Sequence, residues 1–175
     1  MHYKWDDYGA KYEDELESWQ SDHATRKFGI DSARETHESV LADGYIHNEE
    51  YFCKVVLENA DIIAIVLILR GDGYHPTTIS EITVNPQHRH KGHGTKIINE
   101  LTANLNQIVG FDGDIFQVMI YPNNPASLRA FEKADFVLAG SHIDGDCSYW
   151  CYPADKLKDY QARNQDEMGS DFVAV

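Results

Sequence analysis

Residues 79–121 restrict the fold more than any other segment. Residues 79–84 are short and β-branched, which suits a strand. Pro86 ends that strand, because proline has no N–H to give to a ladder. Gly92 and Gly94 come next in a loop, where they let the backbone turn freely and approach a ligand closely. The apolar residues then take up a helical period: Ile97, Ile98, Leu101, Leu105, Ile108 and Val109 share one face, while Lys96, Asn99, Glu100, Asn104 and Asn106 lie largely elsewhere. Gly110 stops the helix, and residues 115–121 read as a second strand. A strand, a helix and a strand joined by a crossover of that length form a parallel, right-handed unit.

The loop between strand and helix suits an anion. Free N–H groups at a helix N-terminus, reached through glycines, attract phosphate. Arg89 and Lys91 add positive charge just before it. Residues 71–111 balance three acids (Asp72, Glu81, Glu100) with three bases (Arg89, Lys91, Lys96), a neutral island in a chain of net charge −14. An anionic ligand is expected on such an island. Two phosphate motifs are excluded: the loop has no Gly-Lys-Ser/Thr ending, and no glycine three residues beyond Gly94.

Arg89-His90-Lys91-Gly92-His93-Gly94 resembles the acyl-CoA loop of the GNAT superfamily of N-acetyltransferases, written Arg/Gln-x-x-Gly-x-Gly/Ala. A second stretch, Asn123-Asn124-Pro125-Ala126-Ser127-Leu128-Arg129-Ala130-Phe131-Glu132-Lys133-Ala134-Asp135-Phe136, looks like the family's Asn-x-x-Ala…Tyr-x-Lys-x-Gly-Phe helix. The two lie about as far apart as the family requires. The resemblance covers residues 51–152. Over residues 85–140 the chain is most similar to the aminoglycoside and small-amine N-acetyltransferases of that family.

The resemblance implies an α/β (α+β) fold, a central mixed sheet flanked by helices with the parallel unit at the cofactor site. It implies acetyl-CoA as co-substrate, no metal, and a primary amine as acceptor. On this basis Arg89, His90, Lys91, Gly92, His93, Gly94 and Thr95 would bind the coenzyme A diphosphate. Ile82, Thr83 and Val84 match the strand that offers backbone groups to the pantetheine arm, with an N–H near Val84 polarising the thioester carbonyl. Asn124 matches the family's cofactor-contacting asparagine; as a residue before Pro125 it is equally a helix cap.

Amide formation also needs a neutral amine. An ammonium group has a pKa about three units above neutrality, so a base is useful. Glu81 is the candidate, on the strand leading to the loop and on the same face as Thr83; the plain alternative is a surface glutamate. The family's acid, a tyrosine, falls on Phe131. Tyr121 is the first substitute, with Tyr149 and Tyr152 as others; a thiolate, of pKa about 8.5, can also leave with help from solvent. Asp135 replaces the family's glycine, and aspartate tolerates the left-handed cap that position needs. His88, His90 and His93 have a spacing zinc could use, but the loop is better explained by phosphate, whose charge would favour their protonation.

At 175 residues the chain is expected to be one domain. It carries 29 acids against 15 bases, which argues against nucleic acid or an anionic membrane as partner. Residues 1–50 hold thirteen of the acids and five of the bases, and read as partly helical and as a solvated acidic face; the resemblance implies instead that they border the acceptor site. A helix is expected at 31–43, stopped by Gly44. Residues 51–57 and 62–69 read as a hairpin, the second strand buried on both faces. Residues 71–73 read as a turn, 125–133 as a helix, 136–139 and 147–152 as a closing hairpin, and 154–175 as a helix with a loose tail. Cys53, Cys147 and Cys151 form no framework, so reduced thiols and a cytoplasmic location are expected. The reading is an N-acetyltransferase of a small, cationic amine. The alternatives are acetylation of a protein N-terminus or lysine, and a silent acyl-CoA-binding module, which Phe131 keeps open. A homodimer is an expectation by analogy with the family.

Overall fold

The computed structural model describes residues 3–28, 38, 51–72 and 74–175. The sheet is built around β3 (Asp61–Leu69), in which residues 63–68 are all buried. A strand apolar on both faces requires neighbours on both edges and a layer over each face. β2 (Tyr51–Glu58) and β4 (Thr77–Val84) flank it, both antiparallel. Asn59 and Ala60 join β2 to β3 with φ of 52° and 75°, the left-handed pair that a two-residue hairpin needs. β1 (Lys4–Asp7) closes one edge against β2. On the other side β5 (Phe116–Ile120) runs parallel to β4, and then come β7 (Ser148–Tyr152), β6 (Val137–His142) and β8 (Phe172–Ala174), all antiparallel. The order is β1-β2-β3-β4-β5-β7-β6-β8.

Among the described residues, helices cover both faces. α1 (Glu13–Ser18) and α2 (His23–Phe28) are short; α3 (His93–Val109), α4 (Pro125–Glu132) and α5 (Leu157–Met168) are longer. The expected apolar stripe of α3 packs with Phe131, Ala134 and Phe136 against Val66, Ile68, Ile79 and Val118 on the first face. On the second face, Leu16 and Trp19 pack on Cys53, Ile65 and Leu67. Farther along it, Tyr160 of α5 packs on Cys151, Ala139 and Phe172.

Three local expectations are corrected. Residues 4–7 form a strand, and residues 172–174 form another rather than a loose tail. Glu100 is buried, not on the outer face of α3: its Oε1 accepts from the Tyr3 N–H at 3.3 Å and from Trp5 Nε1 at 3.0 Å, which fastens β1 to the helix. The helix expected at 31–43 and its Gly44 stop lie outside the described residues except for Glu38, which is helical. Among the described residues, no helix is long and apolar enough to cross a membrane.

Candidate active site

The parallel ladder between β4 and β5 is two residues long, Thr77 opposite Phe116 and Thr78 opposite Gln117. Gln117 Nε2 donates to Thr78 Oγ1 at 2.6 Å and closes the pair there. Beyond Thr78 the strands part, although β4 runs on to Val84, about 20 Å of extended chain. Ser80 is the extra residue of a bulge, since Ile79 opposes Ile68 and Glu81 opposes Leu67. A bulge bends its strand and re-aims the residues beyond it. The result is a wedge, open toward the C-terminal ends of β4 and β5, with peptide groups along its β4 side.

The loop after β4 lies at the mouth of the wedge. Asn85, buried, fixes its start: Nδ2 donates to the Ile62 carbonyl at 2.8 Å and Oδ1 accepts from the Gln87 N–H at 3.0 Å. His90 and Gly92 both take positive φ, 61° and 82°. Such residues turn backbone N–H groups inward as an anion-binding nest. The first N–H groups of α3, from His93 onward, point the same way as any helix start does. Gly94 faces α4, where a Cβ would sit 3.7 Å from Ala130 Cβ, ordinary contact that the packing of the two helices would accept. The Thr95 hydroxyl donates to the Ala130 carbonyl at 3.3 Å. Lys91 is exposed, its Nζ 3.0 Å from the Gln87 carbonyl.

Two expected phosphate ligands point elsewhere. The Arg89 guanidinium faces α2: Nη1 donates to Asp22 Oδ2 at 2.7 Å, Nη2 to Thr25 Oγ1 at 2.6 Å, and Nε to the Val84 carbonyl at 3.2 Å. The Thr25 N–H first, and then the Arg89 guanidinium, hold the Asp22 carboxyl down at about 2. His93 is turned inward, Nδ1 2.7 Å from the Tyr3 hydroxyl. Burial pushes its pKa down in the protein alone. His88 meets it edge-on at 5.8 Å. Among the described residues no group of three or more His, Cys, Asp or Glu could hold a metal ion.

On the second face, Glu81 and Thr83 do lie together, the Thr83 hydroxyl donating to Glu81 Oε1 at 2.6 Å. Cross-strand pairing places Glu81, Leu67 and Cys53 in one row. Burial pushes the Cys53 thiol up to about 12, and the Glu81 charge adds to it. Tyr51, beside Cys53, is raised by burial first, then by Cys53 and Glu81. Across the wedge, alternation puts Met119, 47% exposed, on this same face. Tyr121 continues the alternation just beyond β5 and is 51% exposed.

The other acid candidates separate by position. Tyr152 opposes Phe116 at the closed end of the wedge and stacks on Phe136, so it is too far from the mouth. Tyr149 packs against Phe172 at 5.7 Å, and burial pushes it up to about 12. Phe131 is a core residue, edge-on to Phe136 at 5.0 Å. Asn124 caps α4, its Oδ1 accepting from the Ser127 N–H at 3.2 Å. Asp135 takes the expected left-handed cap at φ 61°, and the Phe136 N–H reaches back to the Phe131 carbonyl at 3.1 Å. The β4 bulge and the Arg89–Asp22 pair escaped sequence reasoning.

Solved structures share this arrangement. The spermidine N-acetyltransferase of Vibrio cholerae, in complex with CoA and spermine, superposes with a TM-score of 0.67 at 15% identity, over 90% of this chain and 98% of that one. A dodecameric structure of the Vibrio cholerae enzyme gives a TM-score of 0.62 at 17% identity, over 89% and 95%. AAC(6')-Ib, in complex with paromomycin and acetyl-CoA, gives 0.64 at 18% identity, over 90% and 97%. At such identities these likenesses speak to the fold. No curated protein matches the sequence. A sequence profile described as the acetyltransferase (GNAT) family matches residues 10–136, and over that span lie the wedge, the loop and both covering helices of the first face: the chain belongs to the acetyltransferase (GNAT) family and is an acetyltransferase.

Proposed function

We propose that the protein moves the acetyl group of acetyl-CoA to a primary amine of a small, cationic acceptor. The wedge between β4 and β5 carries this reading. The β4 edge beyond Thr78 offers backbone N–H and C=O groups where a strand would pair, and an extended arm bearing amides takes that place. Ile82 and Val84 present those groups, whereas alternation from the Asn85 N–H, which donates to the Ile63 carbonyl, turns the peptide groups of Thr83 toward β3. The nest at His90 and Gly92 and the start of α3 receive the diphosphate through backbone N–H groups. Lys91 adds charge beside it, and Asn124 contributes its side-chain amide.

Glu81 relieves the bound ammonium of its proton, directly or through water, and Thr83 holds the carboxylate in place. The amine nitrogen then attacks the thioester carbon, the C–N bond forms and the C–S bond breaks. A backbone N–H near Val84 stabilises the carbonyl oxygen as charge develops. Tyr121 supplies the proton to the departing sulfur from the same face, and the second proton that the nitrogen sheds on becoming an amide passes through water and restores the phenol. The acceptor class is supported by the chain's charge of −14 and by the polyamine and aminoglycoside bound in the two neighbours.

Calorimetric titration with acetyl-CoA tests the donor site. Wild type is expected to bind, and Gly92→Glu to lose binding, because a carboxylate would enter the nest; a folded wild type that binds nothing refutes the reading. A panel of polyamines, aminoglycosides and peptides tests the acceptor, and turnover of peptides alone would replace the small-amine reading.

A further inference from the structure

The Arg89 guanidinium is engaged at all three nitrogens, and none of its partners is a ligand. Val84, the last residue of β4, takes Nε; Asp22 and Thr25, at the start of α2, take Nη1 and Nη2. The site is built rather than incidental. Thr25 is 1% exposed, and the Arg89 and Asp22 side chains are only 25% and 31% exposed. Asp22 Oδ2 also accepts from the Thr25 N–H at 2.8 Å, so one oxygen serves both the helix and the guanidinium. Asp22 is anchored in turn, its N–H donating to the carbonyl of Trp19, which is buried on the second face with Cys53 of β2 and with Ile65 and Leu67 of β3, the residues that pair with Thr83 and Glu81.

The next residue after Arg89 is His90, the first left-handed position of the nest. A loop that must present N–H groups at a fixed angle gains from a pinned residue immediately before the turn. A half-buried guanidinium deprived of its acceptor does not stay in place, because unpaired buried donors are costly. We propose that Asp22 and Thr25 are positioning residues of the donor site: they hold Arg89, and through it the loop, so that acetyl-CoA affinity depends on α2, an element of the opposite, acceptor-side face. This rests on the acetyl-CoA reading above. It departs from the expectation drawn from the sequence, in which Arg89 binds the diphosphate.

The test is a double-mutant cycle on acetyl-CoA affinity, with wild type, Asp22→Ala, Arg89→Ala and the pair measured by calorimetry. Each single variant is expected to bind about tenfold more weakly, and the double variant no more weakly than either, because both remove one device. Thr25→Ser, which keeps the hydroxyl, binds as wild type; Thr25→Val shares the loss. In turnover the change falls on KM for acetyl-CoA, with kcat at saturation within about twofold. Asp22→Asn keeps a cap oxygen and removes only the charge, so it serves if Asp22→Ala does not fold. Losses that multiply to about a hundredfold would overturn the proposal. So would Asp22→Ala binding as tightly as wild type or more tightly while Arg89→Ala binds weakly, since Arg89 would then be a phosphate ligand that Asp22 competes for. Either of those results leaves the donor-site reading standing, whereas a wild type that does not bind acetyl-CoA removes both.

Discussion

Glu81→Gln removes a charge and leaves the shape of the side chain intact. The amide oxygen can still accept from the Thr83 hydroxyl, now 2.6 Å from Glu81 Oε1, so buried Thr83 keeps its partner and the fold is retained. What is lost is the acceptor for the amine's proton. An alkylammonium of pKa about 10.4 is neutral in only about one molecule per 2,500 at pH 7. A positioned base contributes about 10²–10⁴-fold. The expected loss in kcat at pH 7 is therefore about 10²–10³-fold, or about 3–4 kcal/mol of barrier. The pH profile decides the cause. In the variant the reaction draws on amine already neutral in solution, so log kcat/KM for the amine should climb by about one per pH unit between pH 7 and 9, while the wild type is nearly flat there. Thiol release from acetyl-CoA with a polyamine acceptor measures both. Parallel profiles for the two proteins, or variant activity within about threefold of wild type at pH 7, would refute Glu81 as the base.

Phe131→Tyr puts a hydroxyl into a position packed against Phe136; unfolding by denaturant should show a loss of about 1–3 kcal/mol, and kcat should change by less than tenfold. Cys53, Cys147 and Cys151 are buried, and burial raises all three thiols, Cys53 to about 12 and Cys151 to about 11. A disulfide reagent at pH 8 should titrate no thiol in the folded protein and all three in denaturant. The Asp22 carboxyl is held near 2, below its unfolded value, so its stabilisation is complete above about pH 4 and is lost as pH falls toward 2. Asp22→Asn should therefore flatten the stability–pH slope between pH 4 and 2 by up to one proton, with little change in that slope above pH 5.

What could be read from the sequence was what local chemistry decides. α3 was legible at both ends because Gly92 and Gly110, φ 82° and 83°, bracket an unbroken apolar period. Asp135 was legible as a left-handed cap because few other side chains tolerate that backbone. β3 was legible because eight apolar residues in a row suit a strand covered on both faces. β1 and β8 were not, since each is a three- or four-residue edge strand paired with a distant partner, Lys4 with Leu57 and Ala174 with Gly140. Arg89 misled for the same reason: a base beside a phosphate loop reads as a phosphate ligand, and its acceptor, Asp22, lies 67 residues away in the chain. Glu100 looked like part of a solvated face because donors that satisfy it, the Tyr3 N–H and Trp5 Nε1, come from about a hundred residues earlier in the chain.

The two proton transfers in amide formation from a thioester are unequal, and the chain's departures from the family pattern track the inequality. Freeing an amine of pKa about 10.4 at pH 7 costs about 4.6 kcal/mol, while releasing a thiolate whose thiol has pKa about 8.5 leaves only about 2 kcal/mol for an acid to recover. A site that can install one titratable group with care gains more from the base. Here the position of the family's tyrosine is given to packing: Phe131 is 4% exposed, meets Phe136 edge-on, and its carbonyl accepts the Phe136 N–H that closes α4. Glu81, by contrast, is re-aimed by the Ser80 bulge, fixed by Thr83 and set on the face that the acidic helix α1 covers. Under the proposed mechanism the same division would let a half-exposed Tyr121 suffice on the other side of the wedge, since the weaker requirement tolerates a looser group.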